Sequence, residues 1–130
     1  MFNECTSLVN VQDILPATEL VKECYMSMFA NCTSLKTAPK LPATKLDVSC
    51  YSNMFIGCTS LIQAPELPAT ELKRSCYESM FEDCLSLEYP PELPAQKLVP
   101  GCYKKIFKGC TSLVEAPELS KSVILDLLSK

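Results

Sequence analysis

Histidine and tryptophan are both absent from this chain of 130 residues. Without histidine, the chain lacks the commonest general base near neutral pH and the commonest nitrogen ligand of zinc. It also lacks an apolar run of the ~18–20 residues that span a bilayer. Its first residues do not have the charged-then-apolar layout of a signal peptide. The formal net charge of -3 offers no basic surface for nucleic acid. The sequence therefore predicts no enzyme, no cofactor and no catalytic residue.

The strongest positive feature is a repeat of ~26 residues. Three columns show it most clearly: Cys24, Cys50, Cys76 and Cys102; Cys32, Cys58, Cys84 and Cys110; and Phe29, Phe55, Phe81 and Phe107. Such self-similarity is the signature of a repeat array, in which each unit buries its apolar face against its neighbours. We predict a single array over residues 1–130. Its parts are a partial unit 1–7, units 8–34, 35–60, 61–86 and 87–112, and a partial or capping unit 113–130.

One half of each unit predicts a short helix, as the stretch "SCYSNMFIGC" at residues 49–58 illustrates. At 100° per residue, its cysteines and large apolar residues fall within an arc of ~140° that would face a core. That inward set is Cys50, Tyr51, Met54, Phe55 and Cys58. The outward set is Ser52, Asn53, Ile56 and Gly57, with Ser79 equivalent to Asn53 in the next unit. Ser49 suits an N-cap, and Gly57 tolerates the left-handed conformation that ends a helix.

The other half of the unit, "TSLKTAPKLPATKL" at residues 33–46, carries two prolines. Because proline cannot donate to a β-ladder, a long strand is excluded, and a strand of about four residues such as Leu35–Ala38 remains. Leu41 and Leu46 are expected to point inward. The predicted fold is an α/β repeat solenoid, a leucine-rich-repeat-like right-handed coil stack. Each unit would have one short strand and one short helix, with ~4.8 Å between strand-paired coils.

At this point the sequence resembles a known family. The pattern F-x-x-C-x-S-L, at residues 29–35, 55–61, 81–87 and 107–113, resembles the BspA-like (Treponema pallidum-type) leucine-rich repeat. The segment "APELPATEL" at residues 64–72 is similar to the variety common in surface proteins of Bacteroides-type bacteria. The resemblance implies a leucine-rich-repeat coil and a cell-surface role in adhesion to host proteins, other bacteria or polysaccharide. This chain departs from the family in its cysteine and methionine columns and in the proline within the strand region.

The nine cysteines allow three interpretations. A zinc site needs four converging ligands, commonly from C-x2–4-C pairs, whereas these pairs are C-x7-C and are flanked by phenylalanine and methionine, so no metal site is predicted. A bridge from Cys50 to Cys58 would have to span ~12 Å of helix, beyond the ~7 Å limit for a disulfide. Bridges between coils stay open as an alternative. Reduced, buried thiols are the favoured interpretation, with Cys5 as the best candidate for an exposed thiol.

Residues outside the repeated columns are the candidates for recognition. The column Lys40, Glu66, Glu92 and Glu118, with Glu88 and Glu115 nearby, predicts an acidic strip. That strip is either a site for a cation or basic ligand or, as we favour, a solvated face. Ile62 and Tyr89 are apolar or aromatic residues in variable columns, where they serve either as partner contacts or as ordinary surface residues. The candidate partner contacts are therefore Lys40, Ile62, Glu66, Glu88, Tyr89 and Glu92.

The function predicted from these features is a non-enzymatic binding or adhesion scaffold. It would form part of a bacterial cell-surface protein and contact a protein or glycan on a host or microbial surface, without nucleic acid and without a membrane span in this segment. The alternative is a structural spacer or an assembly component, including a phage particle protein, which would place the chain in a virion. Lateral self-association through the array ends is a further open alternative.

Overall fold

The structure is a computed structural model that describes residues 4–9, 15, 17–95 and 97–114. No helix occurs in these residues, and extended pairing is limited to single-residue bridges. Two parallel bridges join described residues, Glu19 to Lys45 and Gln63 to Tyr89. The predicted α/β solenoid with one helix and one strand in each unit is therefore wrong. The capping unit predicted over residues 113–130 lies outside the described residues beyond Val114.

Four segments of consecutive turns stand where short helices were predicted: residues 22–31, 48–57, 74–83 and 100–109, named here the turn segments. Within them, every second N–H donates to the carbonyl three residues earlier, as Met54 does to Tyr51 at 3.1 Å. In the first three segments, the intervening N–H groups donate to the next coil instead, as Tyr51 does to Cys76 at 3.0 Å. Those segments therefore have no N–H left for the bonds to the fourth preceding residue that define an α-helix.

A positive φ recurs at every fourth position along each turn segment. In residues 48–57 it occurs at Ser49 (54°), Asn53 (57°) and Gly57 (71°). These residues occupy the third position of alternate turns, where a type II turn requires a positive φ. Ser49 is therefore not the predicted N-cap. The left-handed conformation predicted for Gly57 is confirmed, although it closes a turn and not a helix.

Successive turn segments stack directly on one another. Each of the three interfaces between them is joined by five backbone hydrogen bonds, from an N–H of one segment to a carbonyl of the next, as from Phe55 to Met80 at 2.9 Å. Tyrosine and phenylalanine rings stack in the same register, with centroids 5.9 Å apart for Tyr51 and Tyr77 and 5.7 Å apart for Phe55 and Phe81. The repeat period of the sequence is therefore the length of one coil of the stack.

The side chains predicted to face inward are buried in the structure. The five residues of the predicted arc, Cys50, Tyr51, Met54, Phe55 and Cys58, are each no more than 1% exposed. The predicted outward set is partly wrong, because Ser52 and Ser79 are each only 6% exposed. The hydroxyl of Ser52 donates to the carbonyl of Glu78 at 3.3 Å, which satisfies this buried polar group within the interface.

About half a repeat after each of the first three turn segments comes a proline segment: residues 38–43, 64–69 and 90–95. The strand predicted for Leu35–Ala38 is reduced to a single bridge residue, Thr37. Leu41 and Leu46 are buried, as predicted, so the proline side also faces the core. The core thus lies between the turn segments and the proline segments of each coil.

Candidate binding surface

The proline segments are separated from one another by clefts. Among the described residues, no backbone hydrogen bond joins residues 38–43 to 64–69 or 64–69 to 90–95. Prolines contribute to this gap, because a proline has no N–H to donate to the next coil. The chain is therefore open to solvent on this side, between coils that are bonded together on the other.

The first proline groove lies between residues 38–43 and 64–69 and has a volume of about 370 Å³. Its charged residues are Lys40 and Glu66, both of which are exposed. Its apolar lining is dominated by four prolines: Pro39, Pro42, Pro65 and Pro68. An open apolar cleft with one charge of each sign is suited to contact with a partner.

The second proline groove lies one coil further along, between residues 64–69 and 90–95, with a volume of about 510 Å³. Glu66 lines this groove as well, so the two grooves share a wall. On the other wall, Glu92 occupies the position that Lys40 and Glu66 occupy in the two earlier coils. The second groove therefore has two carboxylates and, among its described lining residues, no basic side chain.

A third depression, named here the serine depression, has a volume of about 380 Å³. Two of its residues, Ile62 and Glu88, are predicted contact residues, and Ile62 is 43% exposed. The others were not singled out by the sequence: Lys36, Ser60, Ser86 and Ser112. The three serines occupy the same place in successive repeats, a regularity that is typical of a structural role.

The structure thus divides the six predicted contact residues among three sites. Lys40, Glu66 and Glu92 line the two proline grooves, and Ile62 and Glu88 line the serine depression. Tyr89 is 49% exposed but lines none of these described cavities. The remaining members of the predicted acidic strip, Glu115 and Glu118, lie outside the described residues. The prolines of the grooves were missed because their repetition suggested only a role in the fold.

All nine cysteines are free thiols in the structure, and six of them are buried. The exposed thiol is that of Cys24, whereas Cys5 is half-buried, so the prediction for Cys5 is wrong. Cys24 lies in the first turn segment. Its equivalents Cys50 and Cys76 lie in the middle two turn segments, between neighbouring coils, and are fully buried.

One column of thiols is bonded to the neighbouring coil. The thiols of Cys58 and Cys84 donate to the carbonyls of Phe29 and Phe55, each at 3.1 Å, and Cys110 repeats the contact on the following coil. Burial raises the pKa of Cys58 to about 12, because the apolar surroundings disfavour the thiolate. A thiol held neutral in this way is a poor nucleophile and a poor metal ligand. Among the described residues, no three cysteine or acidic side chains converge as a metal site would require.

Comparisons of this chain with protein-family models, with curated proteins and with solved structures found no match. The resemblance to the BspA-like leucine-rich repeat therefore stays a prediction from the sequence patterns. Within the described part of the chain, no helix has the length and apolar character needed to cross a membrane.

Proposed function

We propose that this chain is a non-enzymatic binding scaffold, part of a bacterial cell-surface adhesion protein whose partner is a protein or glycan of a host or of another microbe. The cell-surface setting is proposed on the sequence resemblance to BspA-like repeats alone. The binding role is proposed on the surface described above. The two parts of the proposal therefore rest on different observations.

The observation that carries the binding role is the contrast between core and groove positions. At equivalent positions in successive coils, the core keeps the same residue, as at Phe29, Phe55 and Phe81, all of which are fully buried. The position at the groove edge changes from Lys40 to Glu66, although both residues are exposed. A scaffold that holds its core constant while its concave sites vary can present different chemistry on each coil.

The test is a binding screen of the folded chain, immobilised and exposed to purified matrix proteins and to a glycan array. We expect at least one partner, whose binding is weakened in a variant that combines Lys40→Ser, Ile62→Ser and Glu88→Ser. A matched control combines Thr44→Ser, Glu71→Ser and Lys73→Ser at exposed positions that line none of the described cavities. Partners that bind both variants alike would contradict a role for these sites.

A second candidate, a rigid spacer or an assembly component such as a phage particle protein, is favoured by the regularity of the stack. Five backbone bonds and two aromatic contacts recur at each interface between turn segments, and such regularity suits a part whose task is to hold a fixed length. The absence of any partner in the screen, together with a fused domain in the full reading frame, would favour this candidate over adhesion.

A further inference from the structure

The second proline groove differs from the first in charge and in one additional proline. The chain reads "APKLPA" at residues 38–43, "APELPA" at 64–69 and "PPELPA" at 90–95. Pro39, Pro65 and Pro91 are buried at equivalent positions, whereas Pro42, Pro68 and Pro94 are exposed. Each groove therefore has prolines at its base and prolines at its rim. Between these prolines the charged residue changes from Lys40 to Glu66 and Glu92, and the first alanine of the segment becomes Pro90.

The two grooves differ in the charges of the residues that line them. In the first, Lys40 and Glu66 have opposite charges. In the second, Glu66 and Glu92 have the same charge, and both side chains are exposed. Two like charges that line one groove attract a cation of a partner and repel an anion.

The hydrogen-bonding capacity of the second groove is biased in the same direction. Five of its ten lining residues are prolines, which offer a carbonyl acceptor and no donor: Pro65, Pro68, Pro90, Pro91 and Pro94. The N–H of Ala64 is already bonded to the carbonyl of Tyr89 at 3.1 Å. Carboxylates are acceptors only, and among the described lining residues Gln63 alone has a side-chain donor, so the groove suits a ligand that is rich in donors.

We propose that the second proline groove binds an extended peptide segment that carries arginine. The aliphatic stem of the arginine lies on the prolines, and its guanidinium group donates to the carboxylates of Glu66 and Glu92. Arginine fits better than lysine because its planar group has five donors for a site made mostly of acceptors. This inference rests on the proposed binding function and names the class of partner for one of its sites.

The expected affinity is modest, because both carboxylates are exposed and water screens them. Removal of either carboxylate should weaken binding about threefold to fivefold, and removal of both about tenfold or more. Binding should also weaken as salt is raised, since at about 1 M ionic strength charges are screened within about 3 Å.

The experiment uses a fluorescein-labelled heptapeptide that alternates valine with arginine, titrated with the full chain at low salt. Fluorescence anisotropy should report binding that Glu66→Gln and Glu92→Gln each weaken. Glu71→Gln is the matched control, because Glu71 is an exposed glutamate that lines neither groove. The same heptapeptide with glutamate in place of arginine should not bind.

A gain-of-function variant makes the test independent of losses caused by misfolding. Lys40→Glu gives the first groove a pair of carboxylates, so adding Lys40→Glu to Glu92→Lys should restore binding of the arginine peptide. Glu92→Lys reverses the comparison by giving the second groove the charge pair of the first, and it should abolish binding there.

Two results would overturn the inference: no binding of the arginine peptide, or equal weakening by Glu92→Gln and by Glu71→Gln. These results are separable from failure of the proposed function. A partner found in the screen that is insensitive to Glu66→Gln and Glu92→Gln would leave the scaffold proposal standing and exclude this ligand class.

Discussion

The two sides of each coil hold the stack together in different ways. On the turn side, five backbone hydrogen bonds and two stacked ring pairs cross every interface between turn segments. On the proline side, the described proline segments share no backbone hydrogen bond, and clefts open between them. The difference shows how one coil can keep its buried residues constant while the charged residues on its surface vary. The turn side provides the stability, so the proline side can change its charges without endangering the fold.

The largest effect we expect comes from alkaline pH, through thiols buried in or next to the turn segments. Burial raises the pKa of both Cys58 and Cys76 from the ordinary value of about 9 to about 12. The unfolded chain therefore releases these protons at lower pH than the folded chain. Stability is complete below about pH 9 and falls between about pH 9 and 12, on the order of 1.4 kcal/mol per pH unit for each such thiol.

The measurement is the urea midpoint of unfolding at pH 7, 9, 10 and 11. Because burial raises the pKa of Cys50 and Cys84 as well, the summed loss should unfold the chain within this range. Cys76→Ala should make the pH dependence of the midpoint shallower, because it removes one of the buried thiols. A midpoint that stays constant up to pH 11 would contradict the burial of these thiols.

The second largest effect should follow loss of one ring from the turn-side stack. Phe55 is fully buried and stacks on Phe29 at 5.5 Å and on Phe81 at 5.7 Å. Phe55→Ala should lower the free energy of unfolding by about 3–5 kcal/mol, because it removes a large apolar side chain and leaves a cavity. Chemical denaturation measures the change.

The comparison on the proline side is Pro68→Ala, at an exposed rim residue of both grooves. Here the free energy of unfolding should fall by at most about 1 kcal/mol, through the greater entropy of the unfolded chain. Equal losses of unfolding free energy for Phe55→Ala and Pro68→Ala would contradict the unequal contributions of the two sides to stability.

A smaller effect should follow substitution of a glycine in a turn. Gly57 has a φ of 71°, and a Cβ there would meet the side-chain oxygen of Asn31 in the preceding coil. Gly57→Ala should cost about 1–2 kcal/mol from the left-handed conformation alone, with a further cost from this contact. Thermal unfolding of the variant measures the sum.

Two control variants separate the two causes. The steric part is the coupling in a double-mutant cycle of Gly57→Ala with Asn31→Gly. The Asn31→Gly single variant is needed because Asn31 itself has a φ of 59°. Lys105→Gly, at an exposed residue with a φ of 56°, should instead be neutral or stabilising. Destabilisation by Lys105→Gly would show that backbone conformation is not what limits these positions.

The smallest effect is expected at an exposed ion pair between coils. The ammonium group of Lys45 lies 3.0 Å from a carboxylate oxygen of Glu19, and the two side chains are 74% and 68% exposed. Lys45→Ala should change the free energy of unfolding by no more than about 0.5 kcal/mol, because water and salt screen such pairs. A loss as large as that expected for Phe55→Ala would mean that the bridge region contributes to the stack as strongly as the turn side.

The sequence was sufficient to predict the repeat period, the buried columns and the left-handed residue at Gly57. It was insufficient to distinguish a short helix from a segment of consecutive turns. Buried positions at Cys50, Tyr51, Met54 and Phe55 recur at intervals of four, and over two turns this interval resembles the helical period of about 3.6. The signal that separates them is the residue type at Ser49 and Asn53, which both adopt a positive φ. A serine is only a weak indicator of a positive φ.

The candidate sites were predicted in part. The column of Lys40, Glu66 and Glu92 was expected to line one face, and the structure places each of its described members in a proline groove. The grooves themselves were not predicted, because they depend on hydrogen bonds that the prolines fail to make between coils. A sequence indicates which N–H groups are missing, but the width of the resulting cleft depends on how the turn side sets the coil separation.

The hydrogen-bonded turn segments have one more consequence, an electrical one. The carbonyl of Cys50 and the N–H of Tyr51 belong to a single peptide group, which accepts from Tyr25 and donates to Cys76, both at 3.0 Å. Five such rows of peptide groups run along the stack with all their N–H ends pointing toward later coils. Peptide dipoles of about 3.5 D aligned in this way add together, as they do in an α-helix. The turn side therefore has a macrodipole perpendicular to its own chain, positive toward the lysine-rich segment of residues 100–109.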